Sequence, residues 1–404
     1  MTTEPVRPLW AGRTLALLGI VLVAFNLRTA VASLAPILGQ LEQEIPVSTT
    51  LVGLLGMLPP LCYAAFGIAT PVVARRFGLE PSLIVALVAL VAGLAGRGLA
   101  PSAWWLLAAS TLTFAAIGVG NVLLPPLVKR YFPDRIGLLT TIFVTAMSVS
   151  TFVPPLVAVP LADAAGWRAS LWVWAVVAMT AIVPWIALLV HPRRGVAAEL
   201  PEEAEPGMLR HALRSRLAWA LAVVFSVSGF NAYALFAWLP SILEQTAGST
   251  PAQAGALLSL YAAMGLPAGI AVPVLAERHG RVRSLIAVGV VSIVVGYAGL
   301  IVAPAAASGL WVAFEGIGTL LFPLALVLIN LRTRTHAGAV ALSGFVQSAG
   351  YLMVAVGPLA VALLHEATGG WTAPLWLLLA SAVPAAVAGG VVARPRFLED
   401  EPER

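Results

Sequence analysis

Charge is what this sequence has least of. Its 404 residues include 23 Lys or Arg and 18 Asp or Glu, ten per cent in all, where a soluble domain carries roughly a quarter. So few charges cannot cover a water-facing surface, which excludes an ordinary soluble protein. Lysine is scarcer still, with Lys129 alone among the basic residues. The single cysteine, Cys62, lies in an apolar run, excluding intramolecular disulfides and cysteine-based metal sites. The five histidines fall at the ends of apolar runs or between them, without the spacing of metal ligands. Pairs such as Gly118-x-Gly120 follow no strand, so they are not phosphate loops. There is no hydrolytic triad and no nucleotide-binding motif. These absences point away from an enzyme, from ATP hydrolysis and from any cofactor or metal. The net charge of +5 does not indicate nucleic acid either, because the arginines form no single patch.

What is present is apolar length. About 20 apolar residues cross the hydrocarbon as a helix. Spans are expected near 14–38, 50–73, 81–100, 104–128, 137–160, 169–190, 217–241, 254–275, 284–303, 309–331, 338–363 and 372–393. An even number puts both termini on one side, and 20 of the 23 basic residues then share that side. Only Arg97 and Arg168 fall opposite, with Arg28 inside a span. The positive-inside rule makes the arginine-rich face, and with it both termini, cytoplasmic; a multi-pass protein of the inner (cytoplasmic) membrane of a bacterium is the expectation. Trp10, Trp104, Trp105, Trp167, Trp219, Trp238, Trp311 and Trp371 lie near span ends, where an interfacial belt is expected.

The chain repeats itself. Pro71-Val72-Val73-Ala74-Arg75-Arg76-Phe77-Gly78 returns as Pro273-Val274-Leu275-Ala276-Glu277-Arg278-His279-Gly280, an offset of 202. Gly118-Val119-Gly120 with Pro125 returns as Gly316-Ile317-Gly318 with Pro323, and Gly166-Trp167-Arg168 is echoed at Gly370-Trp371-Thr372. A six-helix unit duplicated in parallel follows. Residues 1–190 form one bundle, 217–404 the other, and 191–216 a polar cytoplasmic linker with a short surface helix near 207–215.

A 6+6 repeat with a basic turn after its second and eighth helices resembles the major facilitator superfamily. The loop pattern of that superfamily is roughly Gly-x-x-x-Asp-Arg-x-Gly-Arg. Glu277-Arg278-x-Gly280-Arg281 keeps it well, while Arg76 and Gly78 keep only part, with Pro71 replacing the glycine and Arg75 the acid. The resemblance implies that these loops latch conformational states, and Arg75 puts that latch in doubt for the first half. Asn26-Leu27-Arg28-Thr29-Ala30 with Pro36, and Gly120-Asn121-Val122-Leu123-Leu124-Pro125 through Pro133, resemble the cyanate transporter (CynX/NimT-like) family. That implies an all-α membrane protein of twelve helices that moves a small-molecule substrate. It also implies that the first, fourth, seventh and tenth helices line one cavity, so that Arg28 and Glu315 face each other there.

Among individual residues, Arg28 is foremost, because an ionisable group inside a span costs about 2.5–3.5 kcal/mol even on mild scales. Its guanidinium suits a small planar or carboxylate-like anion; the competing reading is a structural arginine satisfied by carbonyls at a kink. Glu315 is expected as a counter-ion, a proton carrier or a bystander near the outer interface. Gly118, Asn121, Pro125 and Lys129 share a helix face. Asn121 is read as a polar ligand, and Lys129 as either a substrate contact or a topology anchor. Asn231, and the stripe Ser343, Gln347 and Tyr351, are further candidates, as is the stripe Thr141, Thr145 and Ser148. Pro36, Pro125, Pro154, Pro240, Pro323 and Pro358 are expected to interrupt their helices. The reading is a monomeric secondary transporter in contact with lipid, driven by solute or proton gradients. Its rival is a proton-coupled exporter of neutral or cationic drug-like compounds that uses Glu315.

Overall fold

The computed structural model describes residues 13–190 and 206–401, so Trp10 and most of the expected linker lie outside the described residues. Every described element is helical. Ten stretches are long and apolar enough to cross a membrane. One of them, α6 (Ile136–Val190), holds two spans, because Gly166 breaks it at φ 83°. Few side chains tolerate that backbone region. The remaining span is the first, and with it the count among the described residues is twelve.

The first span departs from the expected continuous helix over 14–38. Helix α1 (Thr14–Asn26) stops, residues 27–34 run as turns, and a 3-10 turn (Ala35–Ile37) leads into the short α2 (Leu38–Glu42). Local chemistry accounts for this. Pro36 supplies no N–H and disfavours helical backbone just before it. Side chains also compete for the backbone: Asn26 Nδ2 donates to the Leu22 carbonyl at 2.8 Å, and the hydroxyls of Thr29 and Ser33 donate to the carbonyls of Asn26 and Ala30. Irregular backbone at membrane depth survives only where protein buries it or it lines a cavity.

The other elements of the first half are α3 (Thr49–Phe77), α4 (Leu79–Gly98) and α5 (Ala103–Tyr131). The amphipathic α7 (Pro206–Arg214) matches the surface helix expected near 207–215. The second half has α8 (Arg216–Ala247), α9 (Pro251–Ala263), α10 (Gly265–Pro273), α11 (Val282–Val302), α12 (Ser308–Gly318), α13 (Leu321–Leu331), α14 (His336–Thr368), α15 (Thr372–Ala380) and α16 (Ala382–Val392). Side chains of Ser48, Ser102, Ser215, Thr250 and Thr335 cap the N-termini of α3, α5, α8, α9 and α14, each satisfying an orphan backbone N–H.

Only some of the expected proline breaks occur. Pro125, Pro154, Pro240 and Pro358 sit within continuous helices. Near Pro323 the tenth span does bend, between α12 and α13. A proline at 323 cannot bond the carbonyl four residues back, which is Thr319, and the Ser228 hydroxyl takes it at 3.2 Å. The tryptophan belt is also partial. Trp104, Trp105 and Trp219 are exposed, but Trp167, Trp238 and Trp371 are buried. Trp238 donates to the Pro358 carbonyl and Trp371 to Gln245, which ties helix ends together.

The halves meet closely at the face opposite the arginines. Helix α3 packs along α14, and α6 along α9. A methyl group added at Gly53 would stand 2.7 Å from Ala362 Cβ, and one at Gly56 would stand 2.7 Å from Pro358 Cβ, so these glycines set the distance of closure. Glu366 accepts from the Thr50 N–H and hydroxyl at 2.9 and 3.0 Å, latching the same edge.

Candidate functional site

At the arginine-rich face the halves part around a cavity of about 1250 Å³. Arg28 and Lys129 are its charged lining residues, and among the described residues no carboxylate reaches its wall. The unwinding of residues 27–34 presents Arg28 to the cavity. Its Cζ lies 5.5 Å from the centroid of the Tyr63 ring, a cation–π contact worth about 1–2 kcal/mol when desolvated. The phenol groups of Tyr63, Tyr233 and Tyr351 come within electrostatic reach of it. Tyr351 meets Tyr63 edge-on at 6.0 Å and Phe225 at 5.2 Å. The guanidinium also approaches its neighbour Leu27's carbonyl at 3.5 Å and lies beside the Tyr63 phenol on the cavity wall.

The expected residues divide. Arg28, Asn121, Lys129, Gln347 and Tyr351 line this one cavity. Gln347 Nε2 donates to Ser343 Oγ at 2.8 Å along the stripe, and of the Thr141 stripe only Ser148 reaches the wall.

Asn231 does not line the cavity. Its Nδ2 donates to Ser381 Oγ at 2.8 Å and to the Val227 carbonyl, while its Oδ1 accepts from Tyr297 at 2.7 Å. The amide is consumed in joining α8 to α11 and to the bend between α15 and α16, as polar groups in membrane helices often are.

Glu315 is a second correction. It does not face Arg28. It is buried against α11, where the position of a β-carbon on Gly296 would lie 2.3 Å from its carboxylate. Neither carboxylate oxygen finds a hydrogen-bond partner. Among the described residues no cation pairs with it, and at 2% exposure it is not at the surface.

Arg97, expected on the outer side, stands in the last turn of α4 away from the arginine-rich face, but it is buried there, 2% exposed, and donates from Nη1 to the Ala30 carbonyl at 3.1 Å. It thereby satisfies part of the unwound segment.

The conformational-loop residues Arg76, Gly78, Glu277, Arg278, Gly280 and Arg281 gather on the arginine-rich face, where the chain reverses at Gly78 (φ 91°) and Gly280 (φ 60°). The carboxylate missing at position 75 has a neighbour that acts nearby. Glu80 opens α4 and accepts from Arg130 at 3.1 Å and from Tyr131 at 2.9 Å.

Sequence reasoning singled out Tyr351 but missed the other tyrosines of the wall. The chain has only six, and Tyr63, Tyr233 and Tyr261 line the cavity beside Tyr351. That scarcity, in so apolar a chain, was the available signal.

Residues 17–341 match the model of the Major Facilitator Superfamily. The chain belongs to the major facilitator superfamily. This facilitator-superfamily chain is 33% identical to an uncharacterised transporter, YycB, of Bacillus subtilis strain 168, over 94% of each chain. It is 32% identical to the 2-nitroimidazole transporter of Escherichia coli K12, over 90% of this chain and 91% of that one. With the cyanate transport protein CynX of the same strain it shares 27% over 88% and 91%. Among solved structures, a bacterial homologue of the human lysosomal transporter Spinster, in an inward-facing, unoccupied conformation, superposes with a TM-score of 0.77. That match covers 98% of this chain and 99% of the other at 15% identity, a likeness of fold. The chain is therefore a multi-pass membrane transporter that handles small molecules.

Proposed function

We propose that this chain is a secondary transporter of a small, planar anion, of the size and shape of cyanate or a nitroaromatic anion, working by alternating access. The observation that carries the reading is the charge of the cavity: Arg28 and Lys129 with no acidic wall residue among the described ones. A site that presents fixed positive charge in an apolar, aromatic setting favours an anion, and electrostatic attraction strengthens as water is excluded. Flat tyrosine rings beside the guanidinium suit a flat solute. Relatives named for 2-nitroimidazole and cyanate are consistent with that class.

In this reading the bundles 1–190 and 217–404 rock about the central site, joined by 191–216, as a monomer in a bacterial inner membrane and without enzymatic activity. The conformation described is open toward the arginine-rich, cytoplasmic face and closed at the other. Binding neutralises Arg28, so that the occupied site crosses the apolar barrier more readily than the empty one. The rival exporter of cationic compounds loses ground, since Glu315 is absent from the cavity wall.

The test is uptake of cyanate and of nitroaromatic anions into proteoliposomes by the wild type and by Arg28→Gln, with correct folding checked by gel filtration. Loss of uptake in the variant is expected. Undiminished uptake would sink the anion-site reading, and proton flux driven by a cationic drug would favour its rival.

A further inference from the structure

Arg97 and Ser110 share a small second cavity, of about 40 Å³, on the closed side of the unwound segment. Both side chains are almost fully buried, at 2% and 1% exposure. Both leave a polar atom unpartnered: Arg97 Nε, a donor, and Ser110 Oγ, which can donate or accept. Buried polar groups are nearly always hydrogen-bonded, so two orphans on residues that line one cavity call for an occupant. The Arg97 guanidinium sits 5.9 Å from the Phe114 ring centroid, and no acidic side chain pairs with it among the described residues. Its single protein bond, to the Ala30 carbonyl, leaves the Nε edge free. The rest of the wall is apolar, from Leu34, Leu38, Val52 and Leu55. Only Val31, Tyr233 and Phe236 line both this cavity and the central one. Arg28 and Arg97 therefore stand on either side of a thin partition hung on residues 27–34, and the outer closure of α3 against α14 covers the second arginine.

We propose that Arg97 and Ser110 form a second anion station, on the route between the outer face and Arg28. The proposal rests on the anion reading of the central site. The ligand is a compact monovalent anion, two or three atoms long, held by the Arg97 N–H edge with the Ser110 hydroxyl donating to it. When the outer ends of α3 and α14 separate, this station meets solvent first. An anion captured there lies one partition from Arg28, and movement of Val31, Tyr233 and Phe236 passes it inward. In the closed conformation the cavity is too small for a larger solute, so the station selects by size as well as by charge.

The experiment is thiocyanate transport in proteoliposomes of fixed orientation, measured separately from the outer and inner faces, for wild type, Ser110→Ala, Arg97→Lys and Arg28→Gln. Ser110→Ala removes one hydrogen bond to an anion and should raise the KM from the outer face about fivefold. It should leave the KM and kcat from the inner face unchanged, while the inward kcat rises along with the outer KM, because without a driving gradient a carrier keeps kcat/KM equal in both directions. Arg97→Lys should raise the outer KM likewise, since a point charge cannot keep both the Ala30 bond and the anion. Symmetric changes at both faces, or none with Ser110→Ala, would overturn the station and leave Arg97 as a cap for the unwound backbone. Should Arg28→Gln transport normally, the central reading fails instead, whatever the outer variants do. If Arg97→Lys does not fold, Ser110→Ala alone decides.

Discussion

Arg28 and Glu315 are both ionisable residues in apolar spans, one in each half, and the fold treats them in opposite ways. Arg28 sits on backbone that has come out of helix, beside a cavity, with a tyrosine ring at 5.5 Å. Glu315 sits on an intact helix and fills the space that Gly296 leaves on its neighbour. Position along the span separated them poorly. What separates them is the neighbour across the interface: an open cavity wall for one, a packed glycine for the other. Of the two, only Arg28 has room beside it for a ligand.

The sharpest break of that comparison is the pair Arg28→Gln and Glu315→Gln. The first should reduce anion uptake by about a hundredfold or more, the scale set by losing a desolvated charge contact of roughly 3 kcal/mol. The second should leave uptake within about twofold. Equal losses would mean that Glu315 works with Arg28 after all.

Gly296→Ala comes next. Its methyl group would collide with the Glu315 carboxylate, and overpacking of this kind costs about 1–3 kcal/mol. Thermal unfolding of the purified protein should show the loss, and pairing the change with Glu315→Ala should restore much of it.

Asn231→Ala should lower stability by about 1–2 kcal/mol, because Tyr297 and Ser381 lose their partner. Uptake KM should not move. A raised KM with intact stability would return Asn231 to the site.

Smaller still, Glu366→Ala removes the latch on Thr50. It should raise maleimide labelling from the outer face of a cysteine placed at Leu38, in a Cys62→Ser background, by about two- to fivefold.

The smallest effect is a pH dependence at the arginine-rich end. Partial burial acts to raise the Glu399 carboxyl, but backbone N–H groups, including those of Arg334 and Thr335, and the Thr335 hydroxyl bind it, and its value ends lower than usual. A lowered folded value stabilises the protein above the unfolded carboxylate range, about pH 4.3. That contribution is lost as pH falls through the folded value. Wild type should therefore lose stability between about pH 5 and 3 more steeply than Glu399→Gln, with the two curves meeting in acid. Parallel curves would remove Glu399 from the account.

Much of the fold was legible because its signals are local and repeated. Span length follows hydrocarbon thickness, orientation follows the arginine count, and the 202-residue offset reports a duplication. Most of the candidate site was legible too, since Asn121 and Lys129 share a helix face and Ser343, Gln347 and Tyr351 share another. The first span was misread as one helix because its composition is apolar throughout. Composition does not show that Pro36, Asn26 and Thr29 together take the backbone out of helix. Arg97 was placed on the outer side by its position near a span end, but its burial against the unwound segment was not legible, because position along a span does not show which neighbour a side chain meets.

The sequence by itself determined twelve apolar crossings, their sidedness and their two-fold repetition, because water and lipid sort residues by polarity one segment at a time. Only the tertiary structure decided which polar groups face a cavity and which face a neighbouring helix. That choice depends on the side chains opposite, from α11, α14 and α4, which stand far away in the chain. Through it Arg28 lines the central cavity, Asn231 ties α8 to its neighbours, Glu315 packs against Gly296, and Arg97 is buried with its Nε unpartnered.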